Sequence, residues 1–138
     1  MFTKNRSYDD ALLNDYINGF WGYGDLSAKH WFIGMEEGGG DTFDEVQQRL
    51  EQWDKRGRHL CEDLYDYHID INVPKWFQKK APLQATWNKL IRTLLSYKGN
   101  NPDKEDVRTY QISVSSVEER DYKLGEMQSI LLPLPYCL

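Results

Sequence analysis

No stretch of this 138-residue chain approaches the roughly 20 consecutive apolar residues of a bilayer-spanning helix. Residues 1–10 are polar and lack the apolar centre of a secretory signal. Only two cysteines occur, Cys61 and Cys137, and their spacing suits neither a metal site nor a disulfide framework. These absences predict a cytoplasmic protein with reduced thiols and no membrane partner. Positive charge is in deficit: 17 Lys and Arg stand against 22 Asp and Glu, a formal net charge of −5. A broad, non-specific grip on nucleic acid is thereby excluded, because it needs a basic surface, although a local basic patch is not. The chain also holds no internal repeat and no low-complexity segment.

What is present suits a globular protein. Hydrophobic residues make up 40% and charged residues 28%. The length predicts a single α/β domain over 1–138. Aromatics reach 14%, with five Trp and nine Tyr. Such rings either fill a core or line a pocket for a flat ligand, and the core reading is favoured because aromatic area dominates core burial.

Periodicity outlines the elements. Leu13, Tyr16, Ile17 and Phe20 form one apolar stripe of a first helix over 8–20. His30-Trp31-Phe32-Ile33-Gly34 is short, apolar and flanked by turn signals, so it reads as a buried central strand. Thr42-Phe43-Asp44-Glu45 has the pattern of a capping box, in which the Thr42 hydroxyl accepts from the Glu45 amide and the Glu45 carboxylate reaches back. The helix it opens carries Phe43, Val46, Leu50 and Trp53 on one side and ends before Gly57. Residues 58–68 read as helical, and 70–82 as irregular. Trp87, Leu90, Ile91, Leu94 and Leu95 mark the strongest helix, stopped by Gly99. A short helix follows Asn101-Pro102-Asp103 to about Gln111, and 113–125 is polar loop. Ser129 to Leu132 reads as a second buried strand, cut off by Pro133 and Pro135.

Two apolar strands separated by a helical crossover predict a parallel pair. The expected architecture is three-layer α/β, with a short, mainly parallel central sheet flanked by helices. Only six residues follow Leu132, whereas a doubly wound sheet normally continues, so the chain is expected to be the N-terminal part of a longer domain.

The glycine-rich acidic loop after the first strand is the foremost candidate site, because ligands bind open α/β sheets beyond the carboxyl ends of their strands. The amides of Gly38, Gly39 and Gly40 precede a helix and suit an anion-binding nest. No Lys-Ser/Thr follows, which excludes a Walker loop, and the glycines do not form a Rossmann fingerprint. Glu36 and Glu37 would repel a phosphate nearby; a carboxylate at this place is better suited to holding a water or stabilising a developing cation. The plainer alternative makes both acids solvated and the glycines mere turn residues.

Trp31-Phe32-Ile33-Gly34-Met35-Glu36-Glu37-Gly38 resembles the first motif of the uracil-DNA glycosylase superfamily, a hydrophobic strand ending in Gly-x-(Asp/Asn/Ala)-Pro and then Gly or Tyr. The nearest variant is Gly-Met-Asn-Pro-Gly, from its single-strand-selective members. Ile130-Leu131-Leu132-Pro133-Leu134-Pro135 is similar to the second core strand and the loop after it, and the helix around Trp87 fits the crossover between them. A Gly-Met-Glu-Glu-Gly-Gly-Gly loop with a later Leu-Leu-Pro-Leu-Pro segment also resembles glycosylase-like proteins of bacteria. The resemblance implies an incomplete fold of that kind and hydrolysis of an N-glycosidic bond in DNA repair. It implies Glu36 and Glu37 as catalytic residues. It also implies Gly34, Met35, Gly38, Gly39, Gly40 and Phe43 as contacts to a single-stranded or flipped base, with Phe43 as the stacking ring. Neither cofactor nor metal is implied. Glu37 stands where the superfamily has Pro, 130–132 offer no base-reading Asn, and no His-Pro-Ser motif follows, so reduced activity is expected.

Lys75, Trp76, Phe77, Lys79 and Lys80 mix charge with rings, as a nucleic-acid edge does, although a solvated loop tacked down by two rings is the favoured alternative. His59 and His68 lie nine positions apart with nothing to make them converge on a metal, and His30 reads as packed core. A second functional class is a non-catalytic protein that forms homo-oligomers through an exposed sheet edge, with Ile130 to Leu132 as the adhesive element. A third is a metabolite hydrolase with a metal on Glu36 and Glu37.

Overall fold

A computed structural model describes residues 6–34, 40–113 and 127–131. Its first helix, α1 (Asp10–Gly19), starts where the Asp9 carboxylate accepts from the Leu12 amide at 3.0 Å. Leu12, Tyr16 and Phe20 are buried, so the apolar stripe is turned slightly from the predicted one, and Leu13 and Ile17 flank it half-buried. Gly19 lets this helix press against α2 (Phe43–Lys55): a Cβ there would lie 3.3 Å from the Trp53 ring. Trp53 in turn takes Tyr16 edge-on and donates its indole N–H to the His59 carbonyl at 2.8 Å.

Between these helices run β1 (Gly22–Tyr23) and β2 (His30–Gly34). The chain after α2 turns through Gly57 and Arg58, both at positive φ. It then forms β3 (Cys61–Glu62) and α3 (Leu64–Asp70), where the sequence reading had one helix over 58–68. Pairing with β1 decides this. The Trp21 amide donates to the Leu60 carbonyl and the Gly24 amide to that of Glu62, which draws 61–62 into the sheet. Asp63 then caps a fresh helix by accepting from the Asp66 amide.

The irregular segment expected over 70–82 contains one 3₁₀ turn, Pro74–Phe77. Beyond it α4 (Ala85–Tyr97) buries Trp87, Ile91 and Leu94. It ends in a Schellman turn, with Gly99 donating to Ser96 and Asn100 to Leu95, each at 3.0 Å, and Gly99 at φ 86°. The next helix, α5 (Lys104–Ser113), buries Val107, Tyr110 and Gln111. The Gln111 amide knots this corner. Its Nε2 donates to the Trp76 and Pro82 carbonyls at 2.8 and 2.9 Å, and its Oε1 accepts from the Gln84 amide at 3.0 Å. A polar side chain 2% exposed is tolerable because its bonds are made.

The last described strand is β4 (Met127–Leu131), and the sheet order is β2-β4-β1-β3. The two apolar runs of the sequence do pair in parallel, His30 beside Met127 through to Gly34 beside Leu131. The β1–β3 pair is also parallel, while β1 and β4 are antiparallel. The class is therefore mixed α/β, with two parallel pairings of three. Leu132 and the polar loop expected from 114 on lie outside the described residues.

Two expectations are corrected: β4 is paired on both sides, with β2 and β1, so Ile130 and Leu131 form no free sheet edge; and β2 is neither central nor buried. It stands at the end of the strand order, with Trp31 46% and Ile33 71% exposed. Alternation explains the split, since Phe32 between them joins the core that all five helices share. At this end, among the described residues, only one face of the sheet is covered.

Candidate functional site

Because β2 and β4 run parallel in register, the chain leaves both at the same end of the sheet, from Gly34 and from Leu131. Met35, Glu36, Glu37, Gly38 and Gly39 lie outside the described residues. The chain is described again at Gly40, whose φ of 86° is a left-handed conformation open to glycine. Next to it the Thr42 hydroxyl accepts from the Glu45 amide at 3.2 Å, as the capping pattern predicts.

The Glu45 carboxylate departs from that pattern. Its Oε2 accepts from the amides of Gly40 and Asp41, 3.0 Å each, rather than from the cap residue. Two successive amides converging on one oxygen is the nest geometry that binds anions. At Gly40, then, the predicted anion site is filled by the chain's own carboxylate. The sequence signalled Glu45 as a cap partner but not this second role, which depends on the left-handed turn.

Phe43, the candidate stacking ring, is half-buried and already stacked. Tyr8 lies parallel to it at 4.4 Å between centroids, and the Arg6 guanidinium sits 5.8 Å from its centre. Arg6 also pairs with Asp44 at 2.8 Å in an exposed contact, worth at most about 1 kcal/mol. The helix pattern and the stacking role thus meet in one side chain, whose face the residues before α1 occupy.

The basic cluster resolves into two kinds of residue. Lys75, Lys79 and Lys80 are exposed, and among the described residues none of them forms an ion pair. Trp76 is half-buried, edge-on to Trp87 at 6.3 Å, with the Lys75 ammonium 4.6 Å over its ring. Phe77 is buried against Tyr65, His68 and Trp87. The rings anchor the 3₁₀ turn and the lysines face water.

The histidines separate in the same way. His68 is buried, its Nδ1 donating to the Leu64 carbonyl at 2.7 Å amid Tyr23, Phe77 and Trp87. His59 is exposed, and His30, expected in the core, meets the exposed Tyr97 edge-on instead. Among the described residues no three His, Cys, Asp or Glu side chains gather to hold a metal, and no helix is long and apolar enough to cross a membrane.

One buried charge has no counterpart in the sequence reading. Glu62, 2% exposed, accepts from Arg56 Nε at 2.8 Å, and Arg56 Nη1 reaches Asp70 at 2.6 Å. Burial works against the Arg56 charge, but the hydrogen bonds and charges of Glu62 and Asp70 outweigh it and raise the guanidinium pKa above its ordinary value.

These features define a mixed α/β protein with a candidate site at the common carboxyl end of two parallel strands. No family model, no curated protein and no solved structure matches the chain.

Proposed function

We propose that the chain is a uracil-DNA glycosylase-like domain that engages a single-stranded or flipped base beyond Gly34. The parallel, in-register pairing of β2 with β4 carries this reading, because it sends the two motif-bearing segments out of the sheet side by side. The Glu45 carboxylate on the Gly40 and Asp41 amides adds support: a site already holding one carboxylate suits a neutral base and a water better than a bare phosphate. In this reading the three-layer, incomplete glycosylase fold works in the cytoplasm, where Cys61 stays a thiol.

Chemically, Glu36 would orient a water and offset positive charge on the sugar as the C1′–N bond breaks. The base leaves with the bonding electrons, and the water oxygen bonds to C1′ as its proton passes through the Glu36 carboxylate to the departing base. Without a base-reading Asn and an electrophilic His the rate is low, since such groups act as a unit. Incubation of the chain with uracil-containing single- and double-stranded DNA tests this. Base release that disappears in Glu36→Gln supports it; no release, or release untouched by that change, removes the catalytic reading.

A second reading rests on the exposed pair Trp31 and Ile33. A strand at the end of a sheet with bare apolar side chains suits a non-catalytic, oligomerising protein derived from the same fold. Light scattering that finds a strict monomer counts against it.

A further inference from the structure

A hollow of about 400 Å³ opens where α4 ends and α5 begins, within the size range of small-molecule pockets. It is remote from the proposed site. Tyr97, three residues before Asn100, touches His30 at the start of β2, whereas the candidate loop leaves the opposite end of that strand.

Leu95, Pro102 and Tyr110 give the hollow an apolar lining. Asn100, Asn101, Thr109 and Asp106 supply polar groups. Both walls are hydrogen-bonded. The Schellman turn holds the Asn100 backbone on Leu95, and the Asp103 carboxylate caps α5 by accepting from the Glu105 and Asp106 amides at 2.8 and 2.9 Å. Arg92 ties α4 to the segment before α5, donating to Asn88 at 3.0 Å and to the Pro102 carbonyl at 2.8 Å. The backbone around the hollow is thus held in place before a ligand enters.

The polar groups are not spent on the fold. Among the described residues the side chains of Asn100, Asn101 and Thr109 make no hydrogen bond. Asp106 uses one oxygen, Oδ2, to accept from the Asp103 amide at 2.9 Å. Two carboxamides present donors and acceptors side by side, the pattern that reads the edge of a flat nitrogen heterocycle. A carboxylate can only accept, so it selects an exocyclic amine and rejects a carbonyl at that place. Asp106 also brings negative charge to the lining, which disfavours a phosphate there.

We infer that this hollow binds an uncharged, amino-bearing heterocycle as a free small molecule, a nucleoside of adenine or cytosine type, independently of the function proposed above. The test is a titration of the chain with adenosine, cytidine, uridine, adenosine monophosphate and a short oligo-dA, followed by amide chemical shifts. Adenosine or cytidine should give saturable shifts centred on 95, 100–102 and 109–110, with uridine and the monophosphate weaker. Asn101→Ala should raise the Kd about fivefold or more, the effect of one lost neutral hydrogen bond, and because that side chain holds nothing in the fold the Tm should stay put. Asp106→Asn, which keeps an acceptor for the Asp103 amide, should bring the monophosphate closer to adenosine. Absence of saturable shifts, shifts centred elsewhere, equal binding of uridine, or a Kd unchanged in Asn101→Ala overturns the inference. Oligo-dA binding more tightly than adenosine also overturns it, by assigning the surface to a strand.

Discussion

The α4–α5 corner and the β2 end of the sheet are built on opposite terms. At the corner nearly every constraint is short-range: a Schellman turn, an Asp103 cap and the Arg92 tie, with the buried Gln111 amide bridging to the irregular segment through three hydrogen bonds. At the sheet end, β2 gains its position from one parallel neighbour and leaves Trp31 and Ile33 in water.

The largest effect should come from breaking the corner. Gln111→Ala strands the Gln84 amide and the Trp76 and Pro82 carbonyls, and a loss of about 3 kcal/mol is expected in urea unfolding, from several buried groups left unpaired. A loss under about 1 kcal/mol would show that water replaces the amide, and would weaken the contrast. Next in size is Thr42→Ala, which removes the cap of α2 and should cost about 1 kcal/mol by the same measurement. At the sheet end, Ile33→Thr should change stability by no more than about 0.5 kcal/mol, since the side chain is 71% exposed. A larger loss would mean that this face is covered in solution, and would sharpen the oligomer reading.

The smallest effect is a pH dependence at the corner. The amides of Asp106 and Glu105 hold the Asp103 carboxyl below its ordinary pKa of 3.8. A carboxyl with a lowered folded-state pKa stabilises above its unfolded value, and the gain is lost as pH falls through the folded one. Amide-exchange protection in the first turn of α5 should therefore hold down to pH 3.8 and decline only below it. The Asp103→Asn variant should lack that decline.

Helices were the legible part of this chain. Tyr16 and Phe20, and later Trp87, Ile91 and Leu94, recur at helical spacing, and a period of 3.6 identifies an inward side without knowledge of its partner, although Leu12 rather than Leu13 completes the buried face of α1. The β2–β4 pairing was legible too, from two apolar runs separated by helices. The two-residue strands β1 and β3 were not, because Gly22–Tyr23 and Cys61–Glu62 carry no pattern and exist only through their mutual pairing. Exposure of β2 was equally hidden: His30 to Gly34 reads as buried at every position, yet its place at the end of the sheet bares alternate residues.

The candidate site divides along the same line. That Thr42 caps α2 and that Gly40 turns the chain follows from residue chemistry within a few positions. That Glu45 fills the Gly40 and Asp41 amides depends on the turn Gly40 adopts, and that Tyr8 covers Phe43 depends on contacts across 35 positions of chain. The catalytic candidates Glu36 and Glu37, with Met35, Gly38 and Gly39, lie outside the described residues.

Local chemistry largely determined where α2 and α4 start and stop, which of their faces turn inward, and where a glycine-acid loop follows a strand, because each depends on residues within one or two turns of one another. Only the tertiary structure decided that β2 lies at the end of its sheet and that a neutral amide knots three distant segments. It also decided that two asparagines and an aspartate share a hollow, since burial and hydrogen-bond satisfaction depend on which remote segments the folded chain brings into contact.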